Sequence, residues 1–407
     1  MSPEQEPCGS INSARLAAVQ PGVAWVTLFV IGTDLFVVSP LIPLIGKHFG
    51  TDTADAGLLV TVFALAYVVS APIFGHLADR FGRRRVLLHC LSAFALANVL
   101  TAISADFHQL LIARLACGLF AGGVTPSVYA LVSDAAPPNR RGTWMALAVT
   151  GLLSALPLGA SAGTWAGSRF GWSIVFVVLG SVAAVLVGFN SVTWSSSRSE
   201  QAHSPGERDA SWRLPLVRAL LPTVAWSTAL YGMYTYLGAG LVQLGYATPQ
   251  VAETVFCYGI AAFAGSLISG FLVDRLGSLP TVRMSFALLC VAFALLGLAS
   301  RSGQSIGIAV VLTSIVAQTF FPAQQTLLIG AFGKRRATAL SWNNCALFLG
   351  MTIGSLLGGQ VMAAGGFAAI PVMSAGLSVI GLLTCSRGLP TLLRGLIAQT
   401  KTEPDPA

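Results

Sequence analysis

The chain has 407 residues, 55% hydrophobic and 9% charged, with a net charge of +8. Soluble domains carry about 25% charged residues, so a water-facing globular protein is excluded and lipid is the expected solvent. The basic excess does not point to nucleic acid, because it sits in short segments between apolar runs and no basic helix with interleaved aromatics is present.

In chain order, residues 1–22 read as an N-terminal tail without the basic start of a signal peptide. Apolar runs follow near 23–45, 55–77, 86–104, 109–132, 143–166 and 173–194. A polar linker, 195–217, separates them from runs near 219–243, 251–272, 282–300, 304–329, 337–362 and 366–386, and a tail closes the chain at 387–407. Runs of about 20 residues suit membrane-crossing helices. They lack the alternation of a membrane barrel, and lipid offers no partner to unpaired backbone groups. The expected fold is an all-α polytopic membrane protein: twelve transmembrane helices in two pseudo-symmetric six-helix bundles, 23–194 and 218–386. Loops on the side of the termini hold 19 Lys and Arg, against Lys47, Arg169 and Arg301 opposite, so both termini are expected in the cytoplasm.

The halves repeat each other. Gly75-His-Leu-Ala-Asp79-Arg80-Phe-Gly82 returns 195 residues later as Gly270-Phe-Leu-Val-Asp274-Arg275-Leu-Gly277. Arg140-Arg141 matches Arg335-Arg336, and Gly159/Gly163 matches Gly354/Gly358, at the same offset of 195. The paired glycines have the small-xxx-small spacing of close helix packing. Gly159-Ala-Ser161-Ala-Gly163 also spells GxSxG, but a hydrolase elbow needs a strand-to-helix turn, and this one lies inside an apolar helix.

Two charges do not recur: Asp34 in the first span and Arg114 in the fourth. A carboxylate at membrane depth is a functional candidate by default, and Asp34 is assigned as a proton carrier. Arg114 begins a stripe with Gly118, Thr125 and Tyr129 on one helix face. Substrate-pocket candidates are Tyr129, Trp226, Tyr231, Tyr234, Tyr236, Gln318, Gln324 and Asn344, although Tyr and Trp also form interfacial belts. Tyr231 and Tyr234 share a face and Tyr236 lies on another; Asn343 falls on the glycine stripe, leaving Asn344 for the pocket. The seven cysteines are scattered without a CxxC, and no GxxxxGK[ST] loop occurs, so no metal, redox cofactor or ATP cycle is expected.

Two six-span halves and a GxLxDRxGRR turn between spans two and three resemble the major facilitator superfamily over nearly the whole chain. Gly75, Asp79, Arg80, Gly82, Arg83 and Arg84 fit the turn residue by residue. Arg114 with Gly118, Phe170-Gly171-Trp172, Pro322-Ala-Gln324 and Leu349-Gly350 look like the drug:proton antiporter branch, its sugar-efflux and chloramphenicol-resistance-like members above all. Ser161 departs from that branch where Pro is common, and Ser173 where Arg often follows.

The resemblance implies that Arg114 assists proton coupling. It also implies that Gly75, Asp79, Arg80, Gly82 and Arg83, with Asp274 and Arg275, form a cytoplasmic gate latching the halves. The expected function is a proton-coupled secondary transporter of the bacterial inner membrane. It exports a small organic solute or drug by alternating access, as a monomer whose partners are substrate, protons and lipid. A proton-linked importer or uniporter is the alternative within the fold; a membrane enzyme or sensor is the alternative outside it.

Overall fold

A computed structural model describes residues 8–137, 140–194, 213–302, 306–332 and 336–387. Among them the chain is helical throughout, without strands. The N-terminal half holds α1 (Cys8–Phe49), α2 (Thr53–Phe81), α3 (Arg83–Ala102) and α4 (Phe107–Ala135). Its α5 runs through Arg141–Ser154, a π-helical turn at Ala155–Ala160 and Ser161–Phe170, and α6 spans Trp172–Thr193. The C-terminal half holds α7 (Arg213–Gln243), α8 (Thr248–Leu276) and α9 (Ser278–Ser302). There α10 is broken at Thr319 into Ile306–Gln318 and Phe320–Phe332; α11 (Arg336–Gly365) and α12 (Ile370–Arg387) follow.

Eleven of these helices are long and apolar enough to cross a membrane. The exception is α7, whose apolarity is diluted by Trp226, Tyr231, Tyr234, Tyr236 and several hydroxyls. The reason is its position: every residue from Ala225 to Leu241 is buried, so α7 faces protein rather than lipid. The helices also outrun the apolar runs. The first continues upstream of residue 23, and α7 starts at Arg213, inside the stretch read as linker; hydropathy does not register polar helical turns beyond the apolar boundary.

The repeated turn owes its last glycine to chain reversal. One residue, Gly82 at φ 96°, separates α2 from α3, and Gly277 at φ 88° separates α8 from α9. These left-handed values strain any residue with a Cβ.

The paired glycines set the packing in each half. On α5, a Cβ at Gly159 would lie 2.0 Å from the Thr33 hydroxyl and one at Gly163 would lie 2.4 Å from Val37, both on α1. On α11, a Cβ at Gly354 would lie 2.4 Å from the Thr228 carbonyl and one at Gly358 would lie 2.7 Å from the Gly232 carbonyl, both on α7. Small residues thus bring α5 onto α1 and α11 onto α7 in equivalent places, where backbone contact replaces the hydrophobic drive that lipid cannot supply.

The halves join where α1, α2 and α5 meet α7, α8 and α11. This seam is tightest away from the arginine-rich turns. Ser355 Oγ donates to the Gly57 carbonyl at 3.0 Å, and the Tyr234 hydroxyl donates to the Phe36 carbonyl at 3.2 Å. Tyr236 is sunk in a socket of glycines: its hydroxyl stands 1.9 Å from where a Cβ at Gly57 would be and 2.6 Å from one at Gly359. The seam extends to Tyr67, stacked on Phe348 with ring centroids 3.7 Å apart. Nearer the arginine-rich turns, Gly75 and Gly270 face open space.

Candidate functional site: a buried ion pair between two helices

Asp34 sits midway along the membrane-crossing part of α1, Val19–Phe49. Arg114 comes from the N-terminal half of α4, two turns after its start. They are the only charged residues classed as buried among the described residues, and they pair with each other. Arg114 Nη1 donates to Asp34 Oδ1 at 2.7 Å, and Nη2 donates to the Asp34 main-chain carbonyl at 3.3 Å. The other carboxylate oxygen, Oδ2, is buried without a partner, as is Arg114 Nε. Breaking such a pair by removing one member leaves a charge in a low-dielectric interior, at about 3–5 kcal/mol.

The surroundings follow from local sequence. Gly118 lies one turn after Arg114, and a Cβ there would come within 2.2 Å of the Phe63 carbonyl. Without it α4 closes on α2, and the Phe63 ring centroid stands 4.8 Å from the guanidinium carbon. Phe176 of α6 stands at 5.5 Å. Cys117 lies beside the guanidinium, with its sulfur 3.7 Å from the Thr101 hydroxyl. Sequence reading nominated Asp34, Arg114 and Gly118 but missed Phe63, Phe176 and Cys117. Phenylalanines inside apolar runs carry no contrast; only the Arg114–Gly118 spacing hinted at a close neighbour.

The gate candidates lie at the arginine-rich ends of the helices. Arg83 forms an ion pair with Asp134 at the end of α4, inside the same half. Asp134 was not singled out from sequence. Arg80 lies over Phe81, and Arg275 over Phe271 at 4.2 Å. Asp274 is exposed. The Asp79 side chain lies outside the described residues. The contacts of Arg83 with Asp134, Arg80 with Phe81 and Arg275 with Phe271 each lie within one half.

The pocket candidates separate into three places. Trp226, Tyr231 and Tyr234 form an aromatic run: Tyr231 meets Trp226 and Tyr234 edge-on, each at 6.5 Å, and Trp226 stacks on Phe320 at 5.1 Å. The Trp226 indole donates to the Ala317 carbonyl at 2.7 Å, next to half-buried Gln318 at the α10 break. Pro322 lacks the amide that would bond the Gln318 carbonyl, which locates the break. Gln324 is buried and donates to the Ala219 carbonyl at 2.7 Å, leaving Oε1 unpartnered. A second place lies between the halves, where the Tyr67 hydroxyl reaches Thr125 and Asn344, with Tyr129 beside it. Asn343 is instead tied to Thr223, whose hydroxyl donates to Asn343 Oδ1 at 2.6 Å. The third place is the Tyr236 socket in the seam, where the hydroxyl donates to the Ser355 carbonyl at 2.9 Å.

The description "Major Facilitator Superfamily" matches residues 24–255 and 241–405. The uncharacterized MFS-type transporter YwfA of Bacillus subtilis is 30% identical over 88% of this chain and 88% of its own length. The inner membrane transport protein YdhP of Escherichia coli is 27% identical over 87% and 92%. The 3-(3-hydroxy-phenyl)propionate transporter of Escherichia coli is 30% identical over 92% and 94%. Among solved structures, a D-xylose-proton symporter superposes with a TM-score of 0.79 at 16% identity, covering 91% of this chain and 98% of that one. A bacterial homolog of the human lysosomal transporter Spinster, inward-facing and unoccupied, superposes at 0.69 with 18% identity, covering 98% and 95%. The fold is the major facilitator fold, the chain is a multi-pass membrane transporter and not an enzyme, and it belongs to the major facilitator superfamily.

Proposed function

We propose that the chain is a proton-coupled secondary transporter that exports a small organic solute or drug by alternating access, in the manner of the drug:proton antiporter branch. The observation that carries this reading is the Asp34–Arg114 pair, buried at membrane depth with one carboxylate oxygen unengaged. A carboxylate at membrane depth is a functional candidate by default, and its free oxygen is open to a proton. Asp34 takes a proton from outside, the halves reorient, and the proton leaves to the cytoplasm in exchange for substrate. By the distribution of Lys and Arg, the arginine-rich turns face the cytoplasm. The seam between Gly57 and Ser355 then closes the outside, an inward-facing arrangement with Asp34 deprotonated and paired.

Asp34 and Arg114 neutralise each other's charge, and the other candidates are neutral, either aromatic or amide side chains. The substrate is therefore an uncharged or singly charged, partly apolar organic molecule. A second reading, uptake of an aromatic carboxylate, is favoured by the relative named a 3-(3-hydroxy-phenyl)propionate transporter. Thermal-shift screening of apolar drugs and aromatic carboxylates across pH identifies a ligand. Proteoliposomes carrying a pH-sensitive dye then report proton flux on adding it. Export predicts protons moving against the substrate, and uptake by symport predicts them moving with it. Substrate movement without proton flux, unchanged in Asp34→Asn, overturns both.

A further inference from the structure

A proton on Asp34 removes the negative charge facing Arg114, yet the arginine keeps its own charge in the interior. What surrounds it must therefore serve two states. The single hydrogen bond from Nη1 goes to Oδ1, so a proton arriving on the vacant Oδ2 leaves that contact in place. The bond from Nη2 goes to a main-chain carbonyl, which does not titrate. Besides Cys117, two further neighbours are ring faces, Phe63 at 4.8 Å and Phe176 at 5.5 Å, both 1% exposed. A ring's negative face attracts a desolvated guanidinium and repels a carboxylate beside it, so these rings favour the state in which Asp34 is neutral. These faces come from α2 and α6, and the first depends on the missing Cβ of Gly118. The only titratable side chain recorded beside the pair is Cys117 of α4; α1, α2 and α6 bring no further buried charge among the described residues.

We propose that Phe63 and Phe176 are positioning residues of the coupling site, holding the Arg114 charge during the part of the cycle in which Asp34 is neutral. The inference rests on the reading of Asp34 as the proton carrier and adds what makes its neutral state affordable. Losing either ring disfavours the protonated carboxyl, because it removes a negative ring face that favours a lone guanidinium over an ion pair.

The test is an infrared pH titration of the full chain in liposomes, following the carboxylic-acid C=O stretch that disappears in Asp34→Asn. Phe63→Leu and Phe176→Leu each keep side-chain bulk and lose the ring. Each is expected to weaken proton binding at Asp34 about tenfold, while Phe63→Tyr stays near wild type. Two ring sites are tested because either leucine variant alone can fail to fold. A wild-type titration in any folded leucine variant overturns the proposal, as does a Phe63→Tyr variant that behaves like Phe63→Leu. If no wild-type band depends on Asp34, the proton-carrier reading itself falls, which is a different result.

Discussion

Arg114 answers to geometry as well as charge. Its planar fork reaches the Asp34 carboxylate and main-chain carbonyl together while its faces lie against Phe63 and Phe176. A lysine supplies a point charge with neither the fork nor the flat face. Arg114→Lys is expected to keep the fold and lose most proton-driven transport, measured as substrate counterflow under an imposed pH gradient. Arg114→Gln leaves Asp34 alone in the interior and is expected to destabilise by about 3–5 kcal/mol. Adding Asp34→Asn restores most of that loss, because the double variant buries no charge. The check is the melting temperature of the single and double variants in detergent; equal melting of both denies that the pair is electrostatically coupled. Asp34 and Arg114 were each legible in the sequence, since an ionised group inside an apolar run stands out. Their pairing was not, because they are 80 residues apart and nothing local records it. Phe63 and Phe176 were invisible for the opposite reason: a phenylalanine in a membrane span is the expected background.

At the scale of elements, the sequence showed most where it repeated. The recurring Gly82 and Gly277 prove to be left-handed single-residue turns, and the recurring glycine pairs are the surfaces on which α5 meets α1 and α11 meets α7. What the repeat could not show is the contact between its two copies. Gly57 has no equivalent in the sequence argument, yet it is the position on α2 into which the Tyr236 hydroxyl fits. A methyl group there cannot coexist with that hydroxyl at 1.9 Å, and alanine otherwise suits a helix interior better than glycine. Gly57→Ala is therefore expected to leave the helix intact and to shift the population toward an open outer seam. A cysteine placed at exposed Asp52 reports this through faster labelling by a membrane-impermeant maleimide from outside. Labelling at the wild-type rate would show that the socket does not limit opening.

On the scale of the whole molecule, the two halves are joined along one seam, and alternating access requires that seam to open. The seam is made of close backbone approaches: Ser355 Oγ to the Gly57 carbonyl, and Gly238 against Pro40, where a Cβ would lie 2.7 Å from a backbone carbon. Such contacts are either made or broken, with little between, because packed backbones do not deform continuously. A covalent bridge across the seam should therefore stop the cycle outright rather than slow it. Ala56→Cys with Ala239→Cys puts two thiols into one buried cluster of the seam, at positions that already carry a Cβ, in a chain whose seven native cysteines are replaced. Oxidation is expected to abolish turnover, and a reductant to restore it. In the bridged protein, a cysteine replacing exposed Arg80 stays reactive from the cytoplasmic side, because that side is held open. Asp79→Ala bears on the same equilibrium from the other end: weakening a latch that forms only when the cytoplasmic side closes should raise labelling at that position before any bridge is made, and should add nothing after it. Turnover that survives complete bridging would show that the Gly57–Ser355 seam is a fixed joint, and that the halves open to the outside somewhere else.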